Sequence, residues 1–564
     1  MWEAVRRELI VRLEEGSYKF THDRAWEATY SLIPEELRAE AHLRIARLLT
    51  DNIAPEKLDE SIFQILNQIN RGAALLNHGV STLGYLRFSR DEREQIAQLY
   101  VIAGKRAKTS TAYASALKYL STAADLLEDD CWRRKHELIF DLELHWAECE
   151  FLAGQSAAAE QRLTMLSSRA ANPAELATVT CLRVDLYTTL DRTDRVVAVC
   201  LDYLRNVGIE WPAHPTKEEA RQEYERIWAK IGVRTIEELI ELPLMTNPTS
   251  LGTLDVLTKF LGPVAYTDPN LVSLTACRAI NLSLEQGNGD GSCVAYVWLG
   301  RIAGPHFGDY KAGFRFGQLG YELAGKRGLE RFKAPTYLWF AQFVVPWMKH
   351  VRTCRELMRW AFEAASKAGD ITTQSYCFDN LNTNFLAAGD PLVEAQSQAE
   401  SGLRFVKRTH YGFAIDIISG QLGLIRTLRG ATRKFGRFDD EQISETQLER
   451  HFADEPAATQ PACWYWIRKL QAHFFAGDYQ AALDAAAKAQ PLLWASPATF
   501  EIAEYHFYAA LARAAVYDAI SSDKQGEHFQ RRGGGVQLGQ GEGASLHHSD
   551  NSFDSYDSAL WLGR

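Results

Sequence analysis

One short turn recurs along this chain, and it restricts the fold more than any other feature of the sequence. Gly477-Asp478-Tyr479 separates two helical patterns in WIRKLQAHFFAGDYQAALDAAAKAQ (466–490), and Gly308-Asp309-Tyr310 does the same in FGDYKAGF (307–314). AECEFLAGQSAAAEQRL (147–163) places Gly154 at the turn and Ala159 at a small position. AGKRAKTSTAYASALKYLSTAADLL (103–127) places Gly104, Ala116 and Ala123 at small positions. Two antiparallel helices approach closely only where one offers a small side chain that a large residue of its partner can fill. Each such pair leaves an apolar face that the next pair must cover, so the units stack.

Residues 466–490 resemble a tetratricopeptide repeat. Trp466 holds its large first position, Ala482 and Ala489 its small ones, and the tyrosine of the turn packs back between the helices. A non-repeating bundle is the alternative, but four units that share the pattern favour an all-α, tetratricopeptide-like α-solenoid. Helical patterns run almost without interruption from about residue 55 to 525. Thr216 with Glu219 and Thr235 with Glu238 are capping boxes that start helices. Proline clusters at 212–215, 242–248 and 263–269 suggest a break within the array near 205–270, with a helix starting near Asn270.

The two ends differ from this body. Leu9, Val11 and Leu13 alternate, Glu-Gly-Ser turns the chain, and Tyr18 and Phe20 return, which predicts a small β-hairpin. Ala25, Ala28, Thr29 and Leu32 then fall at helical spacing. Pro34 opens a second helix whose apolar stripe is Leu37, Ala41, Ile45 and Leu48. From Arg531 onward seven glycines and five serines in 34 residues cannot sustain a helix pair. Residues 531–564 are expected to be disordered, or the product of a changed reading frame.

Composition excludes some functions. The formal net charge of −10 argues against non-specific nucleic-acid binding, which needs a basic face. No run of 18 apolar residues occurs, and the N-terminus lacks a signal-peptide core. The nine cysteines are scattered singly without a CxxC pair, as expected of reduced, mostly buried thiols in a cytoplasmic protein.

Catalytic motifs are missing. GxxxxGK[ST], which would cradle phosphates, does not occur, nor do a kinase glycine loop with HRD and DFG, or HExxH. GNGDGS (287–292) has no preceding strand and reads as a loop. His547-His548 lies in the tail and gives no metal site. The basic stretches Arg404, Lys407, Arg408, His410 and Arg426, Arg429, Arg433, Lys434, Arg437 read as solvated faces, or as a docking surface for an acidic partner. Trp339, Phe340, Phe343 and Trp347, and Trp464 to Trp466, are candidate groove aromatics, with core packing as their ordinary role.

FTHDRAWEATYSLIPEELRAEAHLRIARLL (20–49) resembles the end of the AAA/STAND ATPase module of large bacterial signalling proteins. In those, a Ser/Thr kinase-like domain precedes the ATPase, and a helical repeat region, a GAF sensor and a histidine kinase follow it. The resemblance continues through 63–77, 181–211, 287–320 and 461–494 and covers about residues 1 to 530. It implies that residues 1–50 end a winged-helix subdomain of the ATPase and that 51–530 form the repeat array. It also implies that the chain is a fragment. His22 and Asp23 match the pair that senses nucleotide in an intact parent; a cap from Thr21 or Asp23 on the following helix is the simpler role. ATP and Mg belong to the parent family, and no cofactor is expected on this chain.

The sequence therefore predicts a non-catalytic scaffold that binds a protein, a peptide or its own parent's ATPase, GAF or kinase domains. ATP-dependent kinase signalling by family membership is the second reading. A ligand-sensing arm of a transcriptional regulator is the third, although no basic recognition helix is visible.

Overall fold

The computed structural model describes residues 7, 9–12, 18–76 and 89–516, apart from 191, 266, 327, 456 and 457. The tail from Arg531 and the hairpin turn at 14–17 lie outside the described residues. The chain divides into two compact units, Met1–Ala171 and Asn172–Arg564.

The first unit opens with β1 (Ile10–Arg12) and β2 (Tyr18–Phe20), paired antiparallel with Ile10 opposite Phe20. The described helices of this unit are α1 (Asp23–Ser31), α2 (Glu35–Asn52), α3 (Pro55–Leu76), α4 (Arg90–Thr109), α5 (Tyr113–Leu126), α6 (Cys131–Arg134), α7 (His136–Leu152) and α8 (Ser156–Arg169). They pack as consecutive antiparallel pairs, α2 on α3, α4 on α5 and α7 on α8. Small residues set the approach distance, as the sequence predicts. Ala116, Ala123 and Ala159 are fully buried, and a Cβ at Gly104 would stand 2.8 Å from the Leu120 side chain.

In the hairpin Leu9 and Val11 share the exposed face and Ile10 turns inward. One expectation for this end is corrected. In α2 the buried face is Ala39, His42 and Ala46, and Leu37, Ile45 and Leu48 face outward. His42 fixes that rotation: its ring bonds the Tyr30 hydroxyl at 3.0 Å and the Gln68 amide oxygen at 2.6 Å. A helix turned to satisfy that imidazole cannot also bury the leucine stripe.

The second unit continues with α9 (Pro173–Thr189), α10 (Thr193–Asn206), α11 (Lys217–Ile231), α12 (Pro248–Val264), α13 (Pro269–Gln286), α14 (Asp290–Phe307), α15 (Tyr310–Lys326) and α16 (Lys333–Trp339). A π-helical turn (Phe340–Val344) and two short 3₁₀ turns (Val345–Trp347 and Val351–Thr353) lead into α17 (Cys354–Ala368). The array ends with α18 (Ile371–Ala387), α19 (Leu392–Arg408), α20 (Gly412–Leu428), α21 (Glu445–Asp454), α22 (Thr459–Phe475), α23 (Tyr479–Ala489) and α24 (Phe500–Val516).

Between residues 205 and 270 the pairing is not sequential, because α12 packs on α9 and α13 on α11. The Thr216–Glu219 capping box starts α11. Thr235 and Glu238 make the reciprocal bonds, but they open a 3₁₀ turn (Glu237–Glu241) rather than a long helix. All told, the described residues form an all-α helical-pair array with one two-stranded hairpin.

Candidate binding surface

The turns come first, since they orient the helices. Gly308 and Gly477 adopt positive φ, +76° and +74°, which residues with a Cβ reach only at a cost. Asp309 and Asp478 then cap the next helix, their carboxylates accepting from the amides of Ala312 at 2.9 Å and Ala481 at 3.2 Å. The tyrosine rings lie back on the preceding helix: Tyr310 covers Gly304, and Tyr479 stands 5.7 Å from Phe474. Gly154 has φ +78° in the corresponding turn. Gly369-Asp370 and Gly389-Asp390 are further glycine–aspartate turns with positive φ at the glycine. Without a following tyrosine they escape notice in the sequence.

The predicted groove aromatics divide by burial. Phe343 and Trp464 are buried, which corrects their assignment to an open groove, while Trp339, Trp347 and Trp466 are half-buried. Trp466 lies apart, against Tyr465 and the Lys488 ammonium, 4.0 Å from its ring. The other four gather about one segment of the chain. Arg301 of α14 lies between the rings of Trp298 and Phe343, at 4.7 and 4.2 Å, and Trp339 meets Trp298 edge-on. Its guanidinium donates to the Pro497 carbonyl at 3.1 Å. The Trp347 indole N–H donates to the Ala498 carbonyl at 3.3 Å, and the Trp464 indole N–H to the Ser496 hydroxyl at 3.0 Å.

A buried polar network continues from this loop. Arg468 of α22 is 1% exposed and holds Glu504 at 2.6 Å, Glu501 at 3.3 Å, Gln471 at 2.9 Å and Thr383 at 3.1 Å. The Thr383 hydroxyl also donates to Glu501 at 2.6 Å. Gln421 of α20 bonds the Asp379 carbonyl, Thr383 and Asn382. Four helices, α18, α20, α22 and α24, thus meet through polar side chains, and α20, α22 and α24 through apolar contacts as well. Burial, together with the charge of nearby Glu501, holds the Asp379 carboxyl well above the usual range. Burial raises Glu501 as well, opposed by the charge of Arg468.

Sequence reading missed this network. Its signal is present in FDNLNTNF (378–385), where Asp379, Asn382 and Thr383 share one helix face at i, i+3 and i+4. A polar stripe on a helix ordinarily faces water; here it faces α20, α22 and α24.

The remaining candidates lie elsewhere. His22 stands at the N-cap of α1 in extended conformation with no side-chain cap, and both His22 and Asp23 are exposed. The Thr21 hydroxyl donates to the Leu9 carbonyl at 3.1 Å. Arg404, Lys407, Arg408 and His410 are exposed. Arg426 departs from its stretch: it is buried and bonds Asp440 at 2.7 Å and Glu400 at 3.2 Å. All nine cysteines are free thiols and eight are buried. Among the described residues no cluster of His, Cys, Asp or Glu could hold a metal ion. No described helix is long and apolar enough to cross a membrane.

No protein-family model matches the sequence. The chain is 22% identical over 456 residues to hybrid signal transduction histidine kinase G of Dictyostelium discoideum, a match that spans 73% of this chain and 13% of that protein. Among solved structures it is similar to a signal transduction ATPase with numerous domains (STAND) protein with a tetratricopeptide repeat sensor from Pyrococcus horikoshii, at 13% identity and TM-score 0.40, covering 76% of this chain and 55% of that one. The human IFIT1 dimer with m7Gppp-AAAA gives 11% identity and TM-score 0.35 over 91% and 96% of the two chains. The Cut9–Hcn1 hetero-tetramer gives 12% and 0.28 over 93% and 99%. The helices themselves define the fold.

Proposed function

We propose that this chain is a non-catalytic helical-repeat arm of a larger signalling protein, and that it binds a neighbouring domain, a protein or a peptide. The observation that carries this reading is the 456-residue similarity to the Dictyostelium histidine kinase, which runs through most of this chain but covers 13% of that protein. In this chain the matched stretch is a helical array, and arrays of this kind present extended surfaces to partners.

The finer reading rests on the resemblance at residues 20–49. In an intact bacterial parent the hairpin and α1 would end an ATPase module, and His22 and Asp23 would sense its nucleotide. ATP-dependent kinase signalling would then belong to the parent, with this chain positioning the catalytic domains rather than supplying their residues. The exposed places of His22 and Asp23 are compatible with a face meant to be covered by another domain.

The test is capture. The full chain is mixed with separately produced ATPase, GAF and histidine kinase domains of a relative and passed over a size-exclusion column. Co-elution with one of them is expected. Separate elution of all three would refute the neighbouring-domain form of the reading.

A further inference from the structure

In a solenoid each repeat touches its sequence neighbours, and contacts between distant repeats are rare. The segment from Ser496 to Glu501 breaks that rule. It reaches Arg301, 196 residues away, Trp347, 151 residues away, and Thr383, 118 residues away. Its contacts with Arg301 and Trp347 are to main-chain carbonyls, which any extended peptide can offer.

We propose that the Ser496–Thr499 loop is a built-in occupant of a peptide site, and that an extended segment of a partner protein, with a proline followed by a small residue, takes its place. This rests on the binding-arm reading above. Three features support it.

The site consists of donors: the Arg301 guanidinium and the indole N–H groups of Trp347 and Trp464. Such a site suits a ligand rich in acceptors and poor in donors, and proline supplies a carbonyl with no N–H of its own. Second, one donor is left over. Trp298 Nε1, in the same aromatic cluster, is buried with no hydrogen-bond partner. Third, the loop pays for its seat: Ala498 sits at φ +62°, where an alanine is strained. A free peptide, not tethered at both ends, can offer the same carbonyls from relaxed extended backbone.

The probe is a fluorescein-labelled peptide of the chain's own sequence LWASPATFEI (493–502), read by anisotropy against the full chain. Ala498→Val should release the loop, because a β-branched residue is disfavoured at positive φ. A site open about a tenth of the time binds about tenfold more weakly than an open one, so Ala498→Val should bind the peptide at least about tenfold tighter than wild type. Adding Trp347→Phe, which removes an indole donor, should cancel that gain. Equal affinity of wild type and Ala498→Val, or no binding to either, would overturn the proposal.

If Ala498→Val fails to fold, hydrogen exchange on the wild-type chain decides. Saturating peptide should speed exchange at Ala498 and Thr499, and unchanged exchange would overturn the proposal. Domain capture that survives while the peptide arms fail would remove this inference and leave the binding-arm reading. Loop displacement without domain capture would keep this inference and the peptide-binding form of that reading, and remove only its neighbouring-domain form.

Discussion

Replacing Arg468 by methionine removes the cation that two buried carboxylates share. Methionine fills most of the same space but donates no hydrogen bond. Glu501 would keep the Thr383 hydroxyl at 2.6 Å and Glu504 the Gln471 amide at 3.1 Å, with no counter-charge for either. Breaking a buried pair from one side costs about 3–5 kcal/mol, because the partner stays buried and uncompensated. At about 2.1 cal/mol/K of unfolding entropy per residue, a cooperative unit of roughly 350 residues loses about 4–7 °C in Tm. Circular-dichroism melts of the full chain at pH 7 measure this. Glu501→Gln and Glu504→Gln, added to the methionine variant, should restore at least about half of the loss, since amides need no counter-ion. A methionine variant that melts within about 1 °C of wild type, or a triple variant that melts no higher than the single one, would refute this account of the network.

Gly477→Val should destabilise the array by about 1–3 kcal/mol, because φ +74° is costly for a β-branched residue; an unchanged denaturation midpoint would count against the turn. Asp379 has its folded pKa raised, so the stability it contributes is present at low pH and is lost as pH climbs above about 3.9. Asp379→Asn should therefore gain on wild type in Tm as pH rises above about 4, and a pH-independent difference would contradict the shift. Burial, aided by the Arg301 and Lys217 charges, pushes His306 down to about 4. A depressed histidine removes stability as pH falls from about 6.5 toward that value, and His306→Asn should flatten this limb of the Tm–pH curve. The purified chain should not turn over ATP; turnover that survives removal of contaminating ATPases and is lost in a point variant of this chain would show otherwise.

Local chemistry alone was enough to specify the sequential helical pairs, though not the pairing of α9 with α12 or of α11 with α13. Gly308-Asp309-Tyr310 and Gly477-Asp478-Tyr479 encode a left-handed residue, a cap and a packing ring within three positions, and Ala116, Ala123, Ala159, Ala482 and Ala489 mark where helices approach. Those signals act between residues close in sequence, so the sequence displays them directly. The facing of α2 was not local: Leu37, Ile45 and Leu48 form as good a stripe as any, but the His42 bond to Gln68, 26 residues away, turns them outward. The gathering of Trp339, Phe343, Trp347 and Trp464 about one loop, and of Asp379, Thr383 and Arg468 about Glu501, was likewise decided by tertiary structure. Each group joins helices more than 30 residues apart, and aromatic or polar residues on a helix have the same periodicity whether they face water, a partner or one another. What they face depends on the curvature of the stack, which is the sum of many small packing angles and has no local signature.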